Sequence, residues 1–316
     1  MSGAPNAGGG PAQPRGSFTI EPRGGYSLAA SIRFLEGFEP AAFPSAPEGA
    51  PAVLDAAFAL EGSWLTVGVS VEQSESGAVK GRLFSERALG RAELSAAKSQ
   101  VERILSLDVD GSGYAEVGER DPVIRRLQSA FPGLRPVCFW SWYEAAAWSI
   151  IGQRMRMGQA AAVKAGLATE LGTQVQVGGS PQRAFPAPRQ LAELQYFPGL
   201  TAAKVERLRA LAETARVNRF DSAMLRSLPR AEALAALQEL PGIGPLSAEL
   251  VLLRGAGDPD HVPEHTARLT AAVQWAYDLD TPPTAEHIAS LAEAWAPYRT
   301  WVVVLLRSAH YEATRG

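Results

Sequence analysis

The stretch Leu240-Pro241-Gly242-Ile243-Gly244-Pro245-Leu246-Ser247-Ala248 decides how this chain is read. A helical run, Ala231 to Leu240, comes before it, and a second begins at Pro245. Two helices joined by Pro-Gly-Ile-Gly make a hairpin with a tight bend. Its glycines reach backbone angles that side chains forbid and let another molecule approach the main chain closely. Pro245 suits the first helical position. The N–H groups of that helix start, at Gly244, Leu246 and Ser247, form a cradle for one phosphate. A bare Gly-x-Gly also fits an ordinary corner used for packing alone, so the rest of the chain has to decide.

The 316 residues suggest two or three domains. At 46% hydrophobic and 20% charged, the composition is that of a globular protein with ample core. No apolar run approaches the ~20 residues of a membrane helix. Residues 1–17 hold Gly, Ala, Pro and Ser without an apolar core and read as a disordered tail, not a signal peptide. A single cysteine, Cys138, excludes an internal disulfide framework and an all-cysteine metal or iron–sulfur site, which points to the cytoplasm. The net charge of −3 is unevenly spread. Residues 1–120 carry 10 Lys/Arg against 15 Asp/Glu, while residues 121–316 carry 20 against 18. The basic residues of the second part are nearly all arginines, so an Arg-lined groove on an acidic body is allowed by the totals but not demonstrated by them.

Strand signals fall within residues 18–105. Ser17–Ile20 and Trp64–Val71 cluster β-formers, with Ala52–Leu60 and Lys80–Phe84 as partners. Tyr26–Phe38 and Glu93–Leu105 have amphipathic helical periodicity. From about residue 121 the strand signals stop. Pro122–Phe131, Trp142–Leu171, Pro188–Leu194, Thr201–Arg216, Pro245–Gly255, His265–Tyr277, Thr284–Trp295 and Tyr298–Glu312 join the run before the bend as helices, many bounded by Pro or Gly. The expected class is α+β: a small antiparallel sheet with helices over 18–112, then a mostly helical region over 113–316 in two subdomains.

Five motifs, in order, resemble the helix-hairpin-helix DNA glycosylases of the bacterial 3-methyladenine DNA glycosylase II (AlkA) type. Phe18–Phe38 with Phe131-Pro132-Gly133-Leu134-Arg135 fits the N-terminal part. Ser149-Ile150-Ile151-Gly152-Gln153, followed by Ala160-Ala161-Ala162, fits the family's Ile-x-Gly-Gln helix. Phe197-Pro198-Gly199-Leu200 with Lys204–Arg207 fits the segment before the hairpin. Gly242-Ile243-Gly244 with Ser247-Ala248 and Arg254-Gly255 fits the hairpin, and Trp295-x-Pro297-Tyr298-Arg299-Thr300-Trp301 the last helix.

The resemblance implies removal of an alkylated purine, such as 3-methyladenine or 7-methylguanine, from double-stranded DNA by a monomer acting at the nucleoid. The base has to leave the stack and enter a pocket. The hairpin would hold the backbone without reading sequence. No organic cofactor is implied. In this family the hairpin often holds a monovalent cation through main-chain carbonyls, here those of Gln238, Leu240 and Ile243. The wedge that fills the gap in the stack falls at Arg154 and Met155. Arg154 reads either as that wedge, its flat guanidinium between bases, or as a surface helix residue. Gln153 would bridge the bend or touch a base edge. Trp140, Trp142 and Tyr143 are offered for the pocket, where ring faces would attract a positively charged base; core packing is their alternative, and Trp148 reads as core. Leu246 stands where bifunctional relatives carry a lyase lysine, so strand cleavage is not expected.

The departure lies after the hairpin, at Asp258-Pro259-Asp260-His261-Val262-Pro263-Glu264-His265. The family's catalytic Asp aligns with Pro263 or His265, depending on the anchor chosen. Glu264 is the substitute carboxylate, or only a residue of a helix start. His265 is a second candidate, or only a cap. A cationic alkylated base is a good leaving group and needs less help, so a narrow range of such lesions is expected. The alternatives are a damaged-DNA binding protein that has lost the chemistry, and a scaffold that uses the hairpin for packing.

Overall fold

A computed structural model describes residues 13–37, 51–263 and 266–315. The expected tail lies outside them as far as residue 12, and from Gly16 the chain is already in a strand. The sheet is antiparallel, in the order β1-β4-β3-β2, with β1 at Gly16–Ile20, β2 at Val53–Ala59, β3 at Thr66–Gln73 and β4 at Val79–Phe84. Two helices, α1 (Leu28–Gly37) and α2 (Arg91–Ile104), cover one face. Their Leu28, Ile32, Leu35, Val101 and Ile104 pack with Val67, Val69, Val71 and Leu83 of the strands. This is the period-2 pattern that the Trp64–Val71 run announces.

The other face is covered by a device the sequence reading does not contain. β5 (Gln174–Val177) and β6 (Ser180–Arg183) form a hairpin inside the region expected to be mostly helical, between the helices expected to end at Leu171 and to begin at Pro188. Gly178 and Gly179 both have positive φ, the geometry of a two-residue hairpin turn. Val175 and Val177 join Ala57, Phe84 and Ala184 in a small core. A Cβ on Gly68 would lie 2.3 Å from Val177, so the glycine is what lets the hairpin sit down on the sheet. Two alternating valines are too short a signal to read as a strand; contact with β2 and β3 supplies the rest.

The helices follow as α3 (Tyr114–Arg120), α4 (Pro122–Ala130), α5 (Trp142–Gly152), α6 (Met157–Glu170), α7 (Pro188–Ala192), α8 (Ala202–Arg216), α9 (Ser222–Ser227), α10 (Arg230–Gln238), α11 (Pro245–Leu250), α12 (Ala267–Ala276), α13 (Ala285–Glu293) and α14 (Arg299–Arg315). A π-helical turn, Val251–Ala256, continues α11 and ends at Gly257 in the left-handed region. Helix starts obey local chemistry: Asp121, Ser141, Thr201, Asp221, Thr266 and Thr284 each accept a backbone N–H of the first turn. The single helix expected over Trp142–Leu171 is interrupted between Gly152 and Met157.

One helical core, from α5 to the π-turn, gathers Trp142, Ile150, Leu208, Leu237, Ile243 and Val251. A second combines α3 and α4 with α12 to α14 around Trp295, Val302 and Leu306. Charged groups join the layers. Glu61, after β2, accepts Ser222 N at 2.8 Å, Ser222 Oγ at 2.7 Å and Trp142 N at 3.2 Å, so it caps both α5 and α9. Arg103 of α2 donates to the carbonyls of Phe139 (3.1 Å), Trp140 (2.6 Å) and Gly255. Arg135, 1% exposed, donates to the Gly25 and Ser106 carbonyls at 3.0 Å and to Arg23 at 2.5 Å. No helix among the described residues is long and apolar enough to cross a membrane.

Candidate nucleic-acid interface

The bend between α10 and α11 turns its apolar side chains inward and its main chain outward. Leu240 and Ile243 are buried, while Pro241, Gly244, Pro245 and Leu246 are exposed. Gly242 takes φ +88°, and a Cβ there would lie 2.6 Å from Arg207 Cδ. Gly244 has an ordinary φ of −92° with nothing within 4 Å of a Cβ. The first bond of the second helix runs from Ala248 N to Gly244 O at 2.9 Å. The amides of Gly244, Leu246 and Ser247 have no acceptor among the described residues. The carbonyls of Gln238 and Ile243 accept no hydrogen bond among them either, and that of Leu240 accepts one, from Ile243 N at 3.0 Å. Each carbonyl keeps a lone pair, as oxygen ligands of a monovalent cation must. No group of His, Cys, Asp or Glu side chains among the described residues is arranged to hold a metal ion.

Gln153 joins this bend to the interrupted helix. Its Nε2 donates to the Gly242 carbonyl at 2.6 Å, and its Oε1 accepts from Arg207 of α8 at 2.7 Å. Lys204 Nζ donates to the Ile151 carbonyl at 2.7 Å, satisfying the end of α5. Of the two readings of Gln153, the bridge is the one the geometry contains. These contacts draw the chain out of its helix, and Arg154 takes φ +52° in an exposed loop. It is therefore not a surface helix residue. Met155 is half-buried against the helical core.

A cavity of about 540 Å³ opens between this loop and the hairpin, lined by Gln153, Met155, Arg156, Leu246 and Ser247 among others. Trp148, Met157, Leu250 and Arg268 line it and also a larger cavity of about 1100 Å³ bounded by α1, α12 and α14. Phe139, Trp148 and Arg254, all buried, form the floor of the larger cavity. Arg254 donates to the Val137 carbonyl at 2.6 Å and lies over the Phe34 ring, 5.1 Å from its centre. Burial pushes its guanidinium down to about 10, which leaves it charged at neutral pH.

The aromatic residues offered for a pocket are placed elsewhere. Trp142 is fully buried edge-on against Phe220, with ring centres 5.5 Å apart. Tyr143 donates to the Pro186 carbonyl at 3.1 Å, and burial pushes its phenol well above the ordinary value. Trp140 stacks on Phe58 in the sheet core. None of the three lines either cavity; Phe34, Phe139, Trp148 and Tyr311 do. A signal for this was available: six residues along a helix turn the side chain by about 120° from where it began, so Trp142 and Trp148 serve different faces.

Glu264 and His265 lie outside the described residues. The neighbouring acids are committed. Asp258 takes Arg230 at 2.9 Å, and Asp260 takes Arg299 at 2.7 Å and the Arg299 amide at 3.1 Å. Sequence reading missed Glu249 of α11, a buried carboxylate 3.1 Å from His261 Nε2. Thr300 Oγ1 fixes the His261 main chain on both sides, at 3.0 Å each.

No family model matches the chain. The DNA-3-methyladenine glycosylase of Bacillus subtilis is 23% identical over 208 residues, covering 63% of this chain and 67% of that protein. A Mycobacterium tuberculosis protein named as a probable bifunctional transcriptional activator/DNA repair enzyme AlkA is 28% identical over 211 residues, 66% of this chain. The match spans 42% of that longer relative. The solved 3-methyladenine DNA glycosylase of Archaeoglobus fulgidus superposes with a TM-score of 0.74 at 21% identity, covering 93% of this chain and 98% of that one. The fold is that of the helix-hairpin-helix glycosylases. Within that fold, the sequence likeness is to the bacterial 3-methyladenine (AlkA) type.

Proposed function

We infer that this protein is a monofunctional DNA glycosylase that hydrolyses the N-glycosidic bond of alkylated purines in duplex DNA. The observation that carries the reading is the unit built by Gln153. One side chain ties an outward-facing main-chain bend to an exposed loop bearing Arg154, with a cavity behind both. A base-extruding enzyme needs these three parts in one rigid body. The amides of Gly244, Leu246 and Ser247 serve as the sequence-blind phosphate anchor, and a monovalent cation on the Gln238, Leu240 and Ile243 carbonyls would add positive charge there. Arg154, exposed and in a left-handed conformation, is the wedge, with Met155 beneath it. The aromatic floor of the larger cavity receives the base in place of Trp140, Trp142 and Tyr143. Positive charge on 3-methyladenine or 7-methylguanine makes the base a good leaving group. Glu264 is the carboxylate assigned to the developing sugar cation, with His265 as second candidate. Leu246 offers no amine for a lyase step.

Release of free 7-methylguanine from a methylated duplex tests the reading. Base release without strand scission is the expected result; none over hours at excess enzyme overturns it. Glu264→Gln slows release if that carboxylate acts, and leaves it unchanged if it does not. The second reading, a lesion-binding protein without chemistry, is favoured by the ion pairs that occupy Asp258 and Asp260. Tight lesion binding without release would establish it.

A further inference from the structure

Arginines gather at the mouth of the larger cavity. Four of them, Arg33, Arg254, Arg268 and Arg307, line it against two glutamates, Glu36 and Glu312. Arg254 belongs to the floor and is bonded there. Arg268 and Arg307 differ. Both are accessible at the mouth, and neither has a carboxylate or hydrogen-bond acceptor among the described residues. They come from different helices, α12 and α14, and converge on one opening. Crowding by the cavity walls, and then the Arg268 charge, hold the Arg307 guanidinium below its ordinary value. Two like charges converging, with no carboxylate paired to either among the described residues, favour an anion between or beside them. Planar guanidinium forks match the oxygens of a phosphate.

Position identifies the anion. Arg268 also lines the smaller cavity, together with Leu246 and Ser247 of the hairpin and Gln153 of the loop. A strand whose phosphate rests on the hairpin amides thus meets Arg268 next, and Arg307 beyond it. Trp148 and Phe139, both buried, line the same cavity. Charge at the mouth over aromatic rings at the base is complementary to a nucleotide, phosphate outermost.

We propose that Arg268 and Arg307 form a second phosphate site, which takes the backbone phosphate of a nucleotide swung out of the duplex toward the cavity, with or without its base. The proposal rests on the glycosylase reading for the duplex form of the ligand. Unlike the hairpin, this site engages only after extrusion. It therefore discriminates extruded from stacked nucleotides without reading the base.

The test compares the full chain with R268Q, R307Q and the double variant. Fluorescence anisotropy measures binding to an undamaged duplex and to the same duplex with one tetrahydrofuran abasic site, across a salt series. Titration with deoxyadenosine monophosphate and with deoxyadenosine runs alongside. Each single variant is expected to weaken abasic-site binding about tenfold and to flatten its salt slope by about one. Undamaged-duplex binding should change less than about twofold, because no nucleotide then occupies the cavity. The monophosphate should bind more tightly than the nucleoside, and the double variant should abolish that preference. Equal losses on both duplexes make the arginines part of a general basic face and overturn the proposal, as does no loss on either. If the wild-type chain binds neither duplex, the glycosylase reading falls. The phosphate site then stands on an arginine-dependent preference for the monophosphate and falls without it. Both side chains are exposed, so thermal melting should report intact folding in all variants.

Discussion

Replacing each hairpin glycine by alanine should separate the architecture of the bend from its contact with DNA. At Gly242, φ is +88°, and the left-handed region costs a residue with a Cβ roughly 1–2 kcal/mol. The new Cβ would also stand 2.6 Å from Arg207 Cδ and 3.1 Å from its Nε. Arg207 must then swing away and lose its 2.7 Å bond to Gln153. A hydrogen bond to a charged group is worth about 1.5–3 kcal/mol, taken at the low end because Arg207 is only half-buried. Gly242→Ala is therefore expected to destabilise by about 2.5–3.5 kcal/mol, read as a lower urea midpoint at unchanged slope. At Gly244, φ is −92° and a Cβ meets nothing within 4 Å. Gly244→Ala should leave stability within about 0.5 kcal/mol. Its methyl group would nevertheless stand at the exposed amides, where a phosphate must approach. Duplex affinity measured by anisotropy should fall about tenfold, the equivalent of about 1.4 kcal/mol. The reasoning is refuted if Gly244→Ala unfolds as readily as Gly242→Ala, or if it is stable and binds duplex as wild type does.

Arg154→Gly relieves the left-handed backbone at φ +52° and should be as stable as wild type or up to about 1 kcal/mol more so. Single-turnover base release should nonetheless slow, because the wedge is gone; loss of stability instead would show that the Arg154 side chain is structural. Asp258→Asn and Asp260→Asn should not alter base release, since both carboxylates are bound to arginines. Asp260→Asn should cost about 1 kcal/mol in urea melts, as its pair with Arg299 is partly exposed; slowed release at full stability would put that Asp in the chemistry. Glu61→Gln places an N–H donor against Ser222 and Trp142 donors and should destabilise by about 2–3 kcal/mol. A smaller effect would mean that another group caps α5 and α9.

Amino-acid pattern alone dictates whatever lies within a few residues of its cause. The bend at Gly242 and Gly244 follows from glycine and proline chemistry, and the starts of α4, α5, α8, α9, α12 and α13 from a hydroxyl or carboxylate one position ahead. The sheet under α1 and α2 follows from the alternation of β3. The five ordered motifs then carried the fold. Tertiary structure decided whatever depends on distant partners. Nothing in Trp142–Leu171 announces a break at Gln153, because its causes are the Gly242 carbonyl, 89 residues away, and Arg207, 54 residues away. The hairpin at 174–183 exists because the sheet offers Gly68 as a seat. Local pattern recognises an aromatic run, but only the packing of α5 against Phe220 and Pro186 assigns Trp142 and Tyr143 to the core, leaving Trp148 to line the cavities. Charge follows the same division. The sequence counts arginines in the second part of the chain, and only the convergence of α12 and α14 gathers Arg268 and Arg307 at one opening. Periodicity and capping act through neighbouring backbone, whereas a cavity and its charge belong to no single segment.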